Sequence, residues 1–312
     1  MEGLIVSLRA VFPIFAMLVI GYWARWKGIV DDPSIKKMNA LCFQVFMTAM
    51  MFYNVYSMDL ESDLNPRLMV FAIVAILMIL AVTTVIVLWR VKENAKRGVI
   101  IQAIYRSNFV VLGLPLITAV YGSEAAGVPT VLISVVTPLY NFFAVIILEI
   151  FNGTKPSVGK IAKNVILCPY ILGAIAAMFF VVTGLQLPEV IVSLIQTLGQ
   201  VASPLAIVIL GASFSFGNVR KYAGVLAVIC SVRLLLIPGI TLTVAAALGF
   251  REVELMTVVA LFATPTAIAS YAMAQQLGGD ADLAGVEVVM STMLSVVTLF
   301  FWIFLLKNLG LL

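Results

Sequence analysis

Long apolar segments separated by short polar connections make up nearly the whole chain. A helix needs about 20 mainly apolar residues to cross a bilayer. Ten segments have this length, and we number them one to ten: 6–25, 36–57, 67–89, 97–121, 127–151, 161–183, 188–212, 221–248, 252–277 and 284–307. Lipid must therefore be the main solvent, and we predict an all-α polytopic membrane protein with ten transmembrane helices.

Composition agrees with this prediction and excludes several functions. Of the 312 residues, 63% are hydrophobic and 11% are charged, whereas soluble domains are roughly half apolar and a quarter charged. The chain contains no histidine, which removes the usual zinc ligand and the histidine-dependent centres of intramembrane hydrolases. Its three cysteines, Cys42, Cys168 and Cys230, lie far apart. We expect no enzyme, no metal, no cofactor and no nucleic-acid partner.

The distribution of basic residues predicts the orientation, because Lys and Arg accumulate in cytoplasmic loops. Thirteen of the 19 basic residues lie in alternate connections, beginning with the first. They are Arg25, Lys27, Lys36, Lys37, Arg90, Lys92, Lys96, Arg97, Lys155, Lys160, Lys163, Arg220 and Lys221. We therefore predict a multi-pass protein of a bacterial inner membrane with both termini on the non-cytoplasmic side. The first apolar run lacks an A-x-A cleavage pattern and is expected to be a retained span.

Prolines recur at similar intervals in the two halves of the chain. The pairs are Pro13 with Pro169, Pro33 with Pro188, and Pro115 with Pro265, at separations of 156, 155 and 150 residues. Five spans per half would give the halves opposite orientations, which is the inverted repeat of many secondary transporters. We predict a first five-helix repeat over 1–152 and a second over 153–312. Chance recurrence is the alternative, since prolines are common in membrane helices.

Spans four and nine each carry a helix-breaking sequence near the middle. Span four contains Gly113-Leu114-Pro115, and span nine contains Thr264-Pro265-Thr266. Proline lacks the amide proton and clashes with the preceding turn, so we expect a kink or unwinding at both sites. Two such helices that cross would present half-helix N-termini, with their partial positive charge, to an anion such as a carboxylate. An ordinary kink is the alternative for either proline alone.

Ionisable residues within the spans are the other candidates for function. Arg106 and Arg233 lie inside apolar segments, where a charge is costly and often marks a substrate pathway. Either arginine could hold a second carboxylate and favour a dicarboxylate. The alternative is charge pairing with Glu149 or Glu287. Glu287 is also the best candidate for a proton carrier.

Two polar residues, Thr48 in span two and Asn141 in span five, are further candidates for the lining of a substrate cavity. The simpler explanation for both is a hydrogen bond between helices.

Residues 107–122, SNFVVLGLPLITAVYG, resemble the fourth span of the auxin efflux carrier family, which includes the plant PIN-formed carriers and bacterial malonate or malate permeases. The shared pattern is Asn108 seven residues before Pro115, Gly113 two residues before it, and a closing Tyr121-Gly122. The resemblance implies that Asn108 contacts the substrate carboxylate and that Pro115 and Pro265 shape the crossing.

The same resemblance implies an arrangement similar to NhaA-type and bile-acid-symporter folds, with a scaffold domain and a transport domain. The scaffold would contain spans one, two, six and seven, and the transport domain spans three to five and eight to ten. Thr48 departs from the family, which often has a proline there, although Pro204 in span seven is kept. The long cytoplasmic loop of many plant members is absent.

The expected function is a secondary transporter that moves a small organic mono- or dicarboxylate anion by elevator-like alternating access. A homodimer through the scaffold helices is expected. The membrane potential favours anion export by about 2.3 kcal/mol per charge per 100 mV, so import would need a coupled cation. Two alternatives stay open: a carboxylate importer coupled to H⁺ or Na⁺, and a passive anion channel or sensor on the same fold.

Overall fold

The computed structural model describes residues 2–57, 65–152 and 158–312. These residues form 13 helices, one short 3-10 turn (Ser123–Ala126) and one isolated antiparallel bridge. The helices are α1 (Glu2–Trp26), α2 (Asp32–Tyr56), α3 (Pro66–Arg90), α4 (Asn94–Tyr105), α5 (Phe109–Tyr121), α6 (Gly127–Ile150), α7 (Val158–Leu167), α8 (Pro169–Thr183), α9 (Glu189–Ser213), α10 (Phe216–Ala247), α11 (Glu252–Phe262), α12 (Ala269–Gln276) and α13 (Ala281–Asn308).

Six helices of the described chain are long and apolar enough to cross a membrane: α2, α3, α6, α9, α10 and α13. The pair α7–α8 would be a seventh span, bent by 63°. These results confirm an all-α protein with several apolar helices of membrane-spanning length. The predicted total of ten spans is not confirmed by this criterion, because spans four and nine are each divided into two shorter helices and span one counts only as a shorter apolar helix, Phe12–Trp26. The ten-span repeat therefore stays a prediction.

The position predicted for the interruption in span four is wrong. Helix α4 ends at Tyr105, residues 106–108 are not helical, and α5 then continues from Phe109 to Tyr121. Gly113 closes a wide π-helical turn, and Pro115 lies in the first regular turn of the α-helix that follows. Because α5 is continuous through this point, the missing proline amide leaves a gap in the helix hydrogen bonds, and the wide π-helical turn before it accommodates that gap. The interruption in span nine does include Thr264, Pro265 and Thr266, between α11 and α12.

Two of the three proline pairs that suggested a repeat have different local conformations. Pro115 is helical and Pro265 is not. Pro13 lies inside α1, whereas Pro169 begins α8 immediately after the bend. The remaining pair lies at the starts of α2 and α9. The prolines alone therefore do not establish a repeat.

Close backbone approach holds α1, α2, α8 and α9 together. A Cβ on Gly21 of α1 would overlap the Val208 carbonyl oxygen of α9, and a Cβ on Gly211 would overlap that of Leu18. Glycines at 173 and 199 allow α8 and α9 similar contact with α2. Packing at small residues is a main source of helix association in lipid. These helices belong to spans one, two, six and seven, which would form the scaffold according to the family resemblance.

Candidate substrate site

The two non-helical stretches lie side by side. Ser107 and Thr266 form the isolated antiparallel bridge, and the backbone N–H of Asn108 donates to the Pro265 carbonyl at 2.8 Å. Backbone groups released from a helix need such partners within a membrane. Gly113 brings α5 against α11 nearby, since a Cβ there would lie 3.1 Å from Ala260. The two interrupted spans are therefore in direct contact at their breaks.

Arg233 of α10 joins the C-terminal ends of α4 and α11. Its guanidinium, with 0% exposure, donates from Nη1 to the Ile104 carbonyl at 3.3 Å. Nη2 donates to the carbonyls of Thr264 at 2.8 Å and Leu261 at 3.5 Å. The last carbonyls of a helix lack intrahelical partners and carry partial negative charge. One cation therefore satisfies both helix ends.

A cavity of about 70 Å³ lies on the other side of the breaks, at the N-terminal ends of the second half-helices, α5 and α12. Residues 108–111 at the start of α5 and 267–269 at the start of α12 form part of its wall. Helices α2, α6, α8 and α9 close the remainder. The polar side chains of the wall are Asn54, Arg106, Ser107, Asn108, Thr137, Tyr140, Asn141, Tyr170 and Ser203. Two helix N-termini with partial positive charge thus lie in the wall of one small cavity, together with these polar side chains.

Arg106 carries the formal charge of this cavity. Its side chain is 3% exposed, with Nη1 2.9 Å from the Met273 sulfur and Nη2 donating to Asn141 Oδ1. Within the described ranges, the ion pairs closer than 4.0 Å are those of Arg25 with Asp32 and Lys96 with Glu93. The buried guanidinium therefore lacks a neighbouring carboxylate, which favours an anionic ligand.

In the described residues, neither Arg106 nor Arg233 lies within ion-pair distance of Glu149 or Glu287. The alternative of direct charge pairing is therefore wrong there. Glu149 instead accepts a hydrogen bond from Asn164 at 3.0 Å. Glu287 lies beside the Thr266 hydroxyl, with 2.6 Å between the two oxygen atoms. Each buried carboxylate therefore has polar, uncharged contacts.

Asn108 supplies a free donor to the cavity. Its side chain is 4% exposed, and Nδ2 has no hydrogen-bond partner in the described part of the chain. Leaving a buried donor unsatisfied costs about 1–3 kcal/mol. The Tyr170 hydroxyl of α8 is also unpartnered there and lines the same wall. Both groups could bind oxygen atoms of a ligand.

Most of the site residues predicted from the sequence lie outside the cavity wall. Thr48 donates its hydroxyl to the Phe43 carbonyl within α2 at 3.2 Å, and Thr264 donates to the Ala260 carbonyl at 2.8 Å. Three predicted residues, Arg106, Asn108 and Asn141, do line the cavity together. Those outside the wall are Thr48, Gly113, Leu114, Pro115, Thr264, Pro265, Thr266, Arg233, Glu149 and Glu287.

A helical chain with several membrane-length apolar helices, and a small cavity with polar side chains in its wall at two interrupted spans, has the features of a membrane transport protein. Residues 6–303 match the family described as Membrane transport protein. The chain belongs to this family, the auxin efflux carrier family, and the resemblance drawn from residues 107–122 is confirmed.

Two relatives align with this chain over nearly their whole length. An "Uncharacterized transporter" of Methanothermobacter thermautotrophicus is 24% identical over 305 residues, covering 95% of this chain and 97% of the relative. A "Putative malonate transporter" of Rhizobium meliloti is 23% identical over 309 residues, covering 96% and 95%. The similarity therefore extends through both halves of the chain.

Proposed function

We propose that this protein is a secondary transporter of a small organic carboxylate, with malonate as the first substrate to test. One observation supports this proposal above the others. Arg106, which has no carboxylate within ion-pair distance in the described residues, and Asn108, whose buried side-chain Nδ2 has no partner there, line the same cavity. A carboxylate would accept the Asn108 hydrogen bond and offset the arginine charge, which would compensate two costly buried groups.

The size of the cavity favours a small substrate. Its volume of about 70 Å³ is well below the roughly 300–1,000 Å³ of pockets that enclose drug-sized ligands. A three- or four-carbon acid suits this space better than an aromatic acid. The relative from Rhizobium meliloti, whose name refers to malonate, supports the same class of substrate.

We propose elevator-like alternating access as the mechanism. Met47 and Met50 of α2 and Ala206 of α9 form one side of the cavity wall, and the interrupted spans form another. In this proposal, α1, α2, α7–α8 and α9 are the scaffold. The transport domain, which comprises spans three to five and eight to ten, slides against it with the anion bound at the crossed spans four and nine. The proposal includes the inverted five-helix repeat, a bacterial inner membrane with both termini outside the cytoplasm, and dimerisation through the scaffold.

Transport assays in proteoliposomes test this function. We expect saturable uptake of labelled malonate, accelerated counterflow from vesicles preloaded with malonate, and competition by malate and succinate that exceeds competition by indole-3-acetate. A passive channel would take up malonate without accelerated counterflow. Failure to exchange any of malonate, malate, succinate and lactate would contradict the carrier proposal.

A further inference from the structure

The Thr266 hydroxyl lies between two oxygen atoms but has a single proton. Its Oγ1 is 2.8 Å from the carbonyl oxygen of Ala103 and 2.6 Å from Oε1 of Glu287. A hydroxyl donates one hydrogen bond and accepts others. Both short contacts are satisfied together only if one of the outer oxygen atoms brings a proton, and a carbonyl has none. The number of available protons therefore indicates that the carboxyl group of Glu287 is protonated.

The Ala103 carbonyl depends on the Thr266 hydroxyl for its hydrogen-bond donor. Ala103 lies in the last turn of α4, where carbonyls lose their intrahelical donors. Its neighbours in that turn have donors of their own, because Gln102 accepts from the Arg106 amide at 3.1 Å and Ile104 accepts from Arg233. Thr266 supplies the donor for Ala103. If its proton turned to Glu287, a buried carbonyl would be left unsatisfied, at a cost of about 1–3 kcal/mol.

The surroundings of Glu287 also disfavour its charged form. Its side chain is 1% exposed, and its ionised form would have no cation within ion-pair distance in the described chain. Arg233 and Cys230 of α10 are the charged and titratable groups that act on it electrostatically. The Arg233 guanidinium, however, already donates to the carbonyls at two helix ends. An ionised carboxylate without a partner costs several kcal/mol to bury.

Two further elements bring tyrosines towards α13. Tyr271 of α12 packs its ring against Gly285, and Tyr22 of α1 shares an apolar pocket with Val289 and Met290. The Tyr271 hydroxyl accepts a hydrogen bond from Gln275 at 3.0 Å. Neither contact supplies a positive charge to the carboxyl group.

We propose that Glu287 is a proton-binding site and that its proton moves together with the carboxylate, in the same direction. This inference rests on the proposed transport function. Thr266 connects the two sites, because its backbone pairs with Ser107, the residue before Asn108 in the cavity wall. Loss of the proton would draw the Thr266 hydroxyl towards the carboxylate and away from Ala103. Protonation of Glu287 and occupancy of the cavity therefore stabilise the same bridged arrangement.

Proton flux in proteoliposomes with a trapped pH-sensitive dye tests the coupling. With the membrane potential clamped, external malonate should acidify the lumen of vesicles that contain the wild-type protein. Glu287→Gln should lose this acidification and the pH dependence of malonate exchange. Glu149→Gln is the matched control, since it neutralises another buried glutamate, and it should keep both properties. Thr266→Val should shift the pH dependence of exchange while Glu287 is still present.

The outcomes separate this inference from the transport function. Malonate exchange without proton movement in the wild type would overturn the coupling and leave the carrier intact. Absence of any carboxylate exchange would instead overturn the proposed function. Infrared difference spectra of the purified protein test the protonated state of Glu287. They require neither transport nor an active variant. The carbonyl band of a protonated carboxyl group should be present in the wild type and lost in Glu287→Gln, and identical spectra would refute the assignment.

Discussion

Arg106 in the non-helical stretch of span four donates a hydrogen bond to Oδ1 of Asn141 in the middle of α6. The amide of Asn141 in turn contacts the sulfur of Met51 in α2 at 3.7 Å. A chain of side chains thus runs from the interruption through α6 to α2. The guanidinium is held in position by uncharged partners, so no carboxylate within ion-pair distance in the described residues offsets its charge.

Replacement of Asn108 by alanine should weaken malonate binding by roughly 10- to 100-fold, because a hydrogen bond to a charged group contributes about 1.5–3 kcal/mol. Calorimetric titration of the purified protein with malonate measures this change. Asn308→Ala, at the exposed end of α13, is the matched control and should bind normally. Unchanged affinity and transport rate in Asn108→Ala would remove Asn108 from the site.

Replacement of Arg106 by lysine should reduce malonate transport more than lactate transport. Lysine keeps the charge but loses the planar pair of donors that matches a carboxylate. Initial rates for the two acids in the same proteoliposome preparation give the ratio directly. Arg251→Lys alters an exposed arginine and should leave the ratio unchanged. Equal losses for both acids would mean that Arg106 does not select for a second carboxylate.

Replacement of Arg233 by methionine should destabilise the fold by several kcal/mol, since it leaves carbonyls at two helix ends without donors at about 1–3 kcal/mol each. Unfolding can be followed with a thiol-reactive dye, because Cys42, Cys168 and Cys230 are free and buried. The unfolding temperature should fall well below that of Arg220→Met, which changes an exposed arginine. Equal unfolding temperatures would contradict the role of Arg233 at the helix ends.

Replacement of Gly211 by alanine should separate α1 from α9. The added Cβ would overlap the Leu18 carbonyl, and relief of such overpacking typically costs about 1–3 kcal/mol. Gly224→Ala adds a Cβ where no atom lies within 4 Å, so it controls for the change in residue type. The thiol-reactive dye assay should show a lower unfolding temperature for the first variant alone. No difference would show that the helices adjust at this contact without cost.

Sequence reasoning succeeded where one residue type determines the local structure. Apolar length predicted the six long spans, and Pro265 predicted the break in span nine because it removes a backbone donor. The break at residues 106–108 has no proline or glycine. It is stabilised by partners far along the chain, namely the carbonyl of Pro265, the guanidinium of Arg233 and the hydroxyl of Thr266. Such tertiary compensation leaves no local pattern to detect.

The cavity residues likewise include some that the sequence predicted and one that it did not. Arg106 attracts attention in sequence because a charge within an apolar span is rare, and Asn108 belongs to the motif shared with the family. Tyr170 gave no signal, since an aromatic residue in an apolar helix usually serves packing. Its place in the cavity wall is revealed only by three-dimensional contacts.

Because Arg233 links the ends of two half-helices with one side chain, neither span can withdraw from the other without exposing bare peptide oxygens to hydrocarbon. In the proposed elevator mechanism, the rearrangement that opens the cavity would leave this junction intact and move it as one unit. Flexibility for opening and closing would then reside at the perimeter, where α2 and α9 meet the moving part, while the centre stays rigid.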